Sequence, residues 1–144
     1  MRKTDILLAI TKLNMTLQSQ IEKELQHDDM TLTSFRVLMY LYRKGKSKTQ
    51  TIGKVASISS GAITYVTTQL SEKNYVSKTK DPLDKRITWV QLTPEGQMFF
   101  KNIYQKHLKH LNQMFSSFTE EELKTLFDVI RQTEKKLGDN NNEA

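Results

Sequence analysis

The hydrophobic period of this chain changes from helical to two only once, between residues 75 and 92. Elsewhere apolar residues recur every three or four positions, the spacing that places them on one face of a helix. Tyr75-Val76-Ser77-Lys78-Thr79-Lys80 and Ile87-Thr88-Trp89-Val90-Gln91-Leu92 instead read as strands, the second rich in β-branched and aromatic residues. Asp81-Pro82-Leu83-Asp84 is the turn between them, with Pro82 presetting its backbone. A lone hairpin in a helical chain predicts a mainly α fold with one small antiparallel sheet.

Around the hairpin the punctuation is local. Ile6, Ile10, Leu13, Leu17, Ile21 and Leu25 mark a first helix from about Asp5 to Gln26. His27-Asp28-Asp29 breaks it. Thr31 is placed to cap a second helix, which Gly45 ends in the left-handed conformation. Lys46-Ser47-Lys48 reads as a connector, and Thr49 as the cap of a brief third helix carrying Ile52, Val55 and Ala56. There Gly53 is a mild cost. Ser57-Ile58-Ser59-Ser60-Gly61 is a turn leading into a fourth helix that runs to about Lys73. Its inner face is Ala62, Ile63, Val66 and Leu70. Its outer face is Ser60, Thr64, Thr67 and Thr68, with Tyr65 to one side. Asn74 closes it in the left-handed conformation. Thr93-Pro94-Glu95 starts a fifth helix reaching about Ser116, its apolar face on Phe99, Ile103, Leu108, Leu111 and Phe115. Thr119 to Glu122 is a capping box for the last helix, which Gly138 ends ahead of a frayed Asp139-to-Asn142 tail.

A short helix, a tight turn and a second helix form a helix-turn-helix, and a hairpin directly after it forms a wing. The second helix of such a pair fits the major groove, where its first residues reach base edges. Those residues here are small and polar: Ser59, Ser60, Gly61 and Thr64, with Tyr65 and Thr68 following on the exposed side. The wing offers Lys78, Lys80, Lys85 and Arg86. An arginine in a narrow minor groove gains from its enhanced negative potential, and Asp84 can orient that guanidinium. An exposed turn salt bridge of little energetic worth is the plainer account of the Asp84–Arg86 pair.

Charge supports the same partner. The net charge is +6. Between Arg43 and Arg86 lie ten bases and three acids, while the rest of the chain holds twelve bases and thirteen acids. Clustered cations favour a polyanion such as double-stranded DNA, because phosphate contacts release counterions, with a solvated basic surface as the plainer account. The 144 residues suffice for one domain with a core and are too few for two. No apolar run has the length of a membrane span, and the N-terminus lacks a secretory signal pattern, so a cytoplasmic protein is expected. There are no cysteines, which excludes disulfides, thiol nucleophiles and thiol redox sensing.

Other constellations carry less. His107 and His110 share a helical face, but no third metal ligand is evident, so no metal and no cofactor is assigned. No phosphate loop, carboxylate pair or nucleophile–base arrangement stands out, and no catalytic residue is named. Trp89 is expected to pack beneath the wing, with stacking on DNA as the alternative.

Asp84-Lys85-Arg86 followed by Leu92-Thr93-Pro94-Glu95-Gly96 resembles the DxR…LTxxG wing signature of the MarR family of transcription regulators. Met30-Thr31 through Phe35 and Leu38 resembles that family's second-helix opening, and Ile63-Thr64 with Leu70 its recognition helix. Asn74 stands where the family commonly has glycine, and Lys78 where it often has arginine. The resemblance spans nearly the whole chain. It implies a homodimer, with residues 1–30 and 95–144 forming a helical dimerisation part and 31–94 the winged DNA-binding part. Two such modules would meet a pseudo-palindromic operator about one helical turn apart, roughly 34 Å. The resemblance also implies repression that is relieved by a small aromatic, phenolic or quinone ligand. Phe35, Met39, Tyr42, Phe99 and Ile103 are the candidate pocket, each of which is otherwise an ordinary core position. A winged helix that binds protein rather than DNA is the main alternative function. A small enzyme without recognisable motifs is a third.

Overall fold

The computed structural model describes residues 1–139; of the tail expected from Asp139 to Asn142, Asp139 is the last described residue of the final helix and the rest lies outside the described residues. The elements run α1 (Lys3–Gln26), α2 (Leu32–Lys44), β1 (Ser47–Lys48), α3 (Thr49–Val55), α4 (Ser60–Glu72), β2 (Val76–Lys80), β3 (Thr88–Leu92), α5 (Pro94–Met114) and α6 (Glu120–Asp139). The expected fold class holds: helices dominate, and one antiparallel sheet supplies the wing. The described residues form two compact units, residues 1–107 and the residues from 108 onward.

In the first unit the core lies between α2, α3, α4, α5 and the sheet. Phe35, Val37, Leu38, Leu41, Ile52, Ile63, Leu70, Val76, Val90 and Phe100 are buried there. Each such aliphatic or aromatic side chain contributes about 1.5–3 kcal/mol on leaving water. Helix α5 enters this core through Phe100 and Ile103, whereas Leu108, read as part of its apolar face, is exposed. Phe100 meets the rings of Phe35, Tyr42 and Tyr104 at 5.5, 5.4 and 6.0 Å. In the second unit the capping box of α6 is present: the Thr119 amide donates to Glu122 Oε2 and the Glu122 amide to Thr119 Oγ1.

The termini follow the turn chemistry. Thr31 Oγ1 accepts from the Ser34 amide, and Gly45 caps α2 with φ at 77°. Asn74 follows α4 with φ at 60°. Thr93 Oγ1 accepts from the Gly96 amide and donates to the Asn74 carbonyl, joining the start of α5 to the end of α4.

Five local readings change. Ser47–Lys48 is a strand, not a connector: it pairs with β3 (Ser47 with Val90, Lys48 with Trp89), giving a sheet ordered β1-β3-β2. Two residues are too few for a period to show. Thr49 does not cap α3, because its hydroxyl donates to the Thr88 carbonyl instead. Gly53 is more than a mild cost, because it sits at a close approach: a Cβ there would lie 3.1 Å from the Ile58 carbonyl oxygen and 3.3 Å from Ile63 Cγ2. Its hydrogen lets the two helices of the helix-turn-helix approach. Thr67 is fully buried, not outward-facing; its hydroxyl donates to the Ile63 and Thr64 carbonyls, which makes its burial affordable. Gly138 lies inside α6 and does not end it.

Candidate nucleic-acid interface

Helix α4 is capped by Ser59, whose hydroxyl accepts from the Ala62 amide. Burying Ile63, Val66, Thr67 and Leu70 leaves Ser60, Gly61, Thr64, Tyr65 and Thr68 exposed along the opposite side. A Cβ on Gly61 would meet nothing within 4 Å, so the first turn is open to a close approach. Thr64 donates to the Ser60 carbonyl and Thr68 to the Thr64 carbonyl. Both hydroxyls thus use their one proton within the helix and remain acceptors on the outer face. Lys78 Nζ, from β2, donates to Thr68 Oγ1 at 2.9 Å and ties the wing's base to the helix. Tyr65 OH accepts from Gln69.

The wing tip is built on two carboxylates. Asp81 Oδ1 accepts from the Leu83 and Asp84 amides, and Asp81 Oδ2 from the Trp89 indole N–H at 2.9 Å. The Trp89 hydrogen bond, followed by those two amides, holds the Asp81 carboxyl below the ordinary range. Asp84 grips Arg86 in a two-point fork, Nε to Oδ1 and Nη2 to Oδ2, each 3.0 Å. It also accepts from the Arg86 amide. The Arg86 hydrogen bonds hold the Asp84 carboxyl down, and Asp84 raises the guanidinium in turn. The Arg86 side chain is nonetheless 91% exposed. It is a charge held in direction and turned to solvent. Lys85 is exposed beside it, and Lys80 Nζ donates to Thr88 Oγ1.

Between α3, α4 and the wing runs a cleft of about 450 Å³ whose walls include Lys48, Lys54, Lys78, Lys80 and Arg86, with Gln50, Ser60 and Thr64. No acid lines it. Of the sequence-named interface residues, Ser60, Thr64, Lys78, Lys80 and Arg86 meet here. Lys48, Gln50 and Lys54 went unnamed. The density of lysines after Arg43 was their only signal, because their faces depend on β1 and on the α3–α4 approach.

The five residues read as a ligand pocket do not converge. Phe35 and Met39 line an open cleft of about 510 Å³ with Arg36, Arg43, Lys44 and Val55 to Ser57. Ile103 is buried in the core, Tyr42 packs on Phe100 and Tyr104, and Phe99 stacks on Tyr75 with ring centroids 4.1 Å apart. None of these three lines the cleft. His107 is committed within the fold: its Nδ1 lies 3.1 Å from Glu24 Oε2, both side chains largely buried. Among the described residues no three His, Asp or Glu side chains gather to hold a metal ion. No described helix is long and apolar enough to cross a membrane.

A basic cleft flanked by a helix-turn-helix and an arginine-tipped wing defines a winged helix-turn-helix regulator. The chain belongs to the MarR family of HTH-type transcriptional regulators: the model of that family matches residues 30–88, and relatives matched over most of the chain agree. It is 31% identical over 104 residues to the multiple antibiotic resistance protein MarR of Salmonella typhimurium, covering 72% of each chain. It is 27% identical over 126 residues to the HTH-type transcriptional regulator MhqR of Bacillus subtilis, covering 88% of this chain and 87% of that protein. Its fold matches that of a MarR mutant from Escherichia coli solved with operator DNA, at a TM-score of 0.80 and 23% identity, over 90% of this chain and 93% of that one.

Proposed function

We propose that this regulator is a homodimeric repressor that binds a pseudo-palindromic operator. Helix α4 enters the major groove through Ser59, Ser60, Gly61, Thr64, Tyr65 and Thr68. Lys78, Lys80 and Lys85 take phosphates, and Arg86, oriented by Asp84, takes the minor groove. The observation that carries this reading is the Asp84–Arg86 fork: a nearly fully exposed guanidinium held by two hydrogen bonds at the tip of a basic cleft. Such preorganisation suits a narrow, electronegative groove. The Escherichia coli relative held on operator DNA supports the same use of the fold. Residues 31–94 are the DNA-binding part.

Residues 1–30 and 95–144 are the dimerisation part in this reading. Among the described residues of α1 only Leu25 is buried, and Leu7, Leu8 and Met15 are each more than three-fifths exposed. Phe127, Val129 and Ile130 of α6 are more than half exposed. Apolar side chains on that scale mark an interface, and a second copy supplies one.

Release by a small aromatic or phenolic ligand completes the reading. The cleft at Phe35 and Met39 is its site. Arg36, Arg43 and Lys44 on its walls make no ion pair among the described residues, so an acidic aromatic fits its apolar floor and cationic walls.

Fluorescence anisotropy on a duplex selected by the protein from a random pool, across a salt series and against scrambled DNA, tests the DNA reading. Preference for the selected duplex with affinity falling steeply as salt rises is expected. Equal, weak binding to both duplexes would favour a protein-binding winged helix.

A further inference from the structure

The single tryptophan of this chain sits where the wing's support and its tip meet. Trp89 is on β3, paired with Thr79 of β2 on one side and Lys48 of β1 on the other. Its indole N–H reaches past the strand to Asp81 Oδ2 at 2.9 Å. The other oxygen of Asp81 holds the Leu83 and Asp84 amides at 2.9 and 3.0 Å. The Asp81 amide in turn donates to the Ile87 carbonyl, and the Ile87 amide to the Asp84 carbonyl. The backbone of Asp84, whose carboxylate grips Arg86, is thereby fixed from both sides. Beneath this, the Lys46 and Lys48 ammonium groups lie 5.6 and 5.4 Å from the Trp89 ring centre, within range of a cation–π attraction. Lys48 also lines the basic cleft.

We propose that Trp89 and Asp81 are positioning residues for Arg86: together they form a latch from strand β1 to the wing tip that sets the direction of the guanidinium before DNA arrives. This rests on the DNA-binding reading above. The latch acts on affinity because a side chain already held in its bound geometry loses less freedom on binding. Hairpin registry does not need it, since β2 and β3 are paired over five residues without the indole N–H. Trp89→Phe keeps a ring on the strand and removes the donor. Asp81→Asn keeps one oxygen for the two amides and removes the charge.

A double-mutant cycle tests the latch, because a merely structural tryptophan would weaken binding without altering what Arg86 is worth. Dissociation constants would be measured on the selected duplex for wild type, Arg86→Ala, Trp89→Phe, Asp81→Asn and the two combinations with Arg86→Ala. Thermal unfolding of each free protein would be followed alongside. Expected is a loss of about tenfold for Trp89→Phe or Asp81→Asn alone, on the scale of one hydrogen bond to a charged group. Arg86→Ala should then cost less than about threefold more in either background, against about tenfold in the wild type. An undiminished Arg86→Ala effect in both backgrounds overturns the latch and leaves DNA binding intact. So does an affinity loss no larger than the unfolded fraction accounts for. A wild-type protein that selects no duplex removes the DNA-binding reading itself, and the latch with it.

Discussion

A Cβ on Gly96 would overlap the carbonyl oxygen of Tyr75, the same oxygen that accepts from the Thr93 amide. The obstacle is backbone on both sides, so no side-chain rotation relieves it. Gly96→Ala is expected to lower unfolding free energy by about 3 kcal/mol or more, among the larger single-residue effects, as read by urea denaturation at fixed protein concentration. A loss below about 1 kcal/mol would show that α5 can shift away from the β2 entrance. Arg86→Ala addresses the opposite kind of residue, one the fold does not need. It should weaken operator binding by about 1–3 kcal/mol and leave the melting temperature unchanged; unaltered affinity would take Arg86 out of the interface. Both residues were legible in the sequence as parts of the DxR…LTxxG pattern, and Arg86 came with its role. The reason for Gly96 was not legible, because Tyr75 approaches from 21 positions away. Phe100 was missed altogether: Phe99 occupied the helical stripe as read, yet Phe100 is the residue that is fully buried.

At the scale of elements, what the sequence exposes is what short-range chemistry decides. Thr31, Gly45, Asn74, Thr93 and Thr119 each mark their boundary through groups within a few residues. Strand β1, the burial of Thr67 and the closeness at Gly53 depend on contacts between elements, and no local spacing encodes them. The tie between α1 and α5 is of the same kind. Glu24 Oε2 and His107 Nδ1 meet at 3.1 Å across 83 residues of sequence, at 13% and 7% side-chain exposure, with the imidazole and the Phe35 ring in a T-shaped pair. The exposed Lys106–Asp28 pair, also close at 2.7 Å, contributes far less because water screens it. Glu24→Ala leaves a buried imidazole nitrogen without its partner and is expected to cost about 1–3 kcal/mol. Lys106→Ala should cost under about 1 kcal/mol. Urea unfolding of the two variants distinguishes them, and equal losses would show that the buried pair adds nothing beyond an exposed one.

For the whole molecule, the arrangement of apolar surface and charge points to work done in pairs. The first unit buries a sufficient core without the N-terminal half of α1, and α6 exposes Leu126, Phe127, Val129, Ile130 and Leu137. A lone chain gains nothing by presenting such residues to water. The sequence showed the amphipathic spacing of both terminal helices; a period alone does not tell whether an apolar face meets its own chain or another. Sedimentation should find a dimer at micromolar concentration. Phe127→Glu with Ile130→Glu places two acids on that face and should shift the protein toward monomer while the first unit stays folded. The consequence for DNA is larger than for stability. Two winged modules held at the right spacing make the second half-site encounter intramolecular, which multiplies affinity by about 10²–10⁴. The monomeric variant should therefore lose about that factor on the full selected duplex, yet bind an isolated half-site as the wild-type module does. A variant that is monomeric but binds the full duplex as tightly as the dimer would show that one winged module suffices for DNA binding, whereas a variant that stays dimeric would take this face of α6 out of the interface.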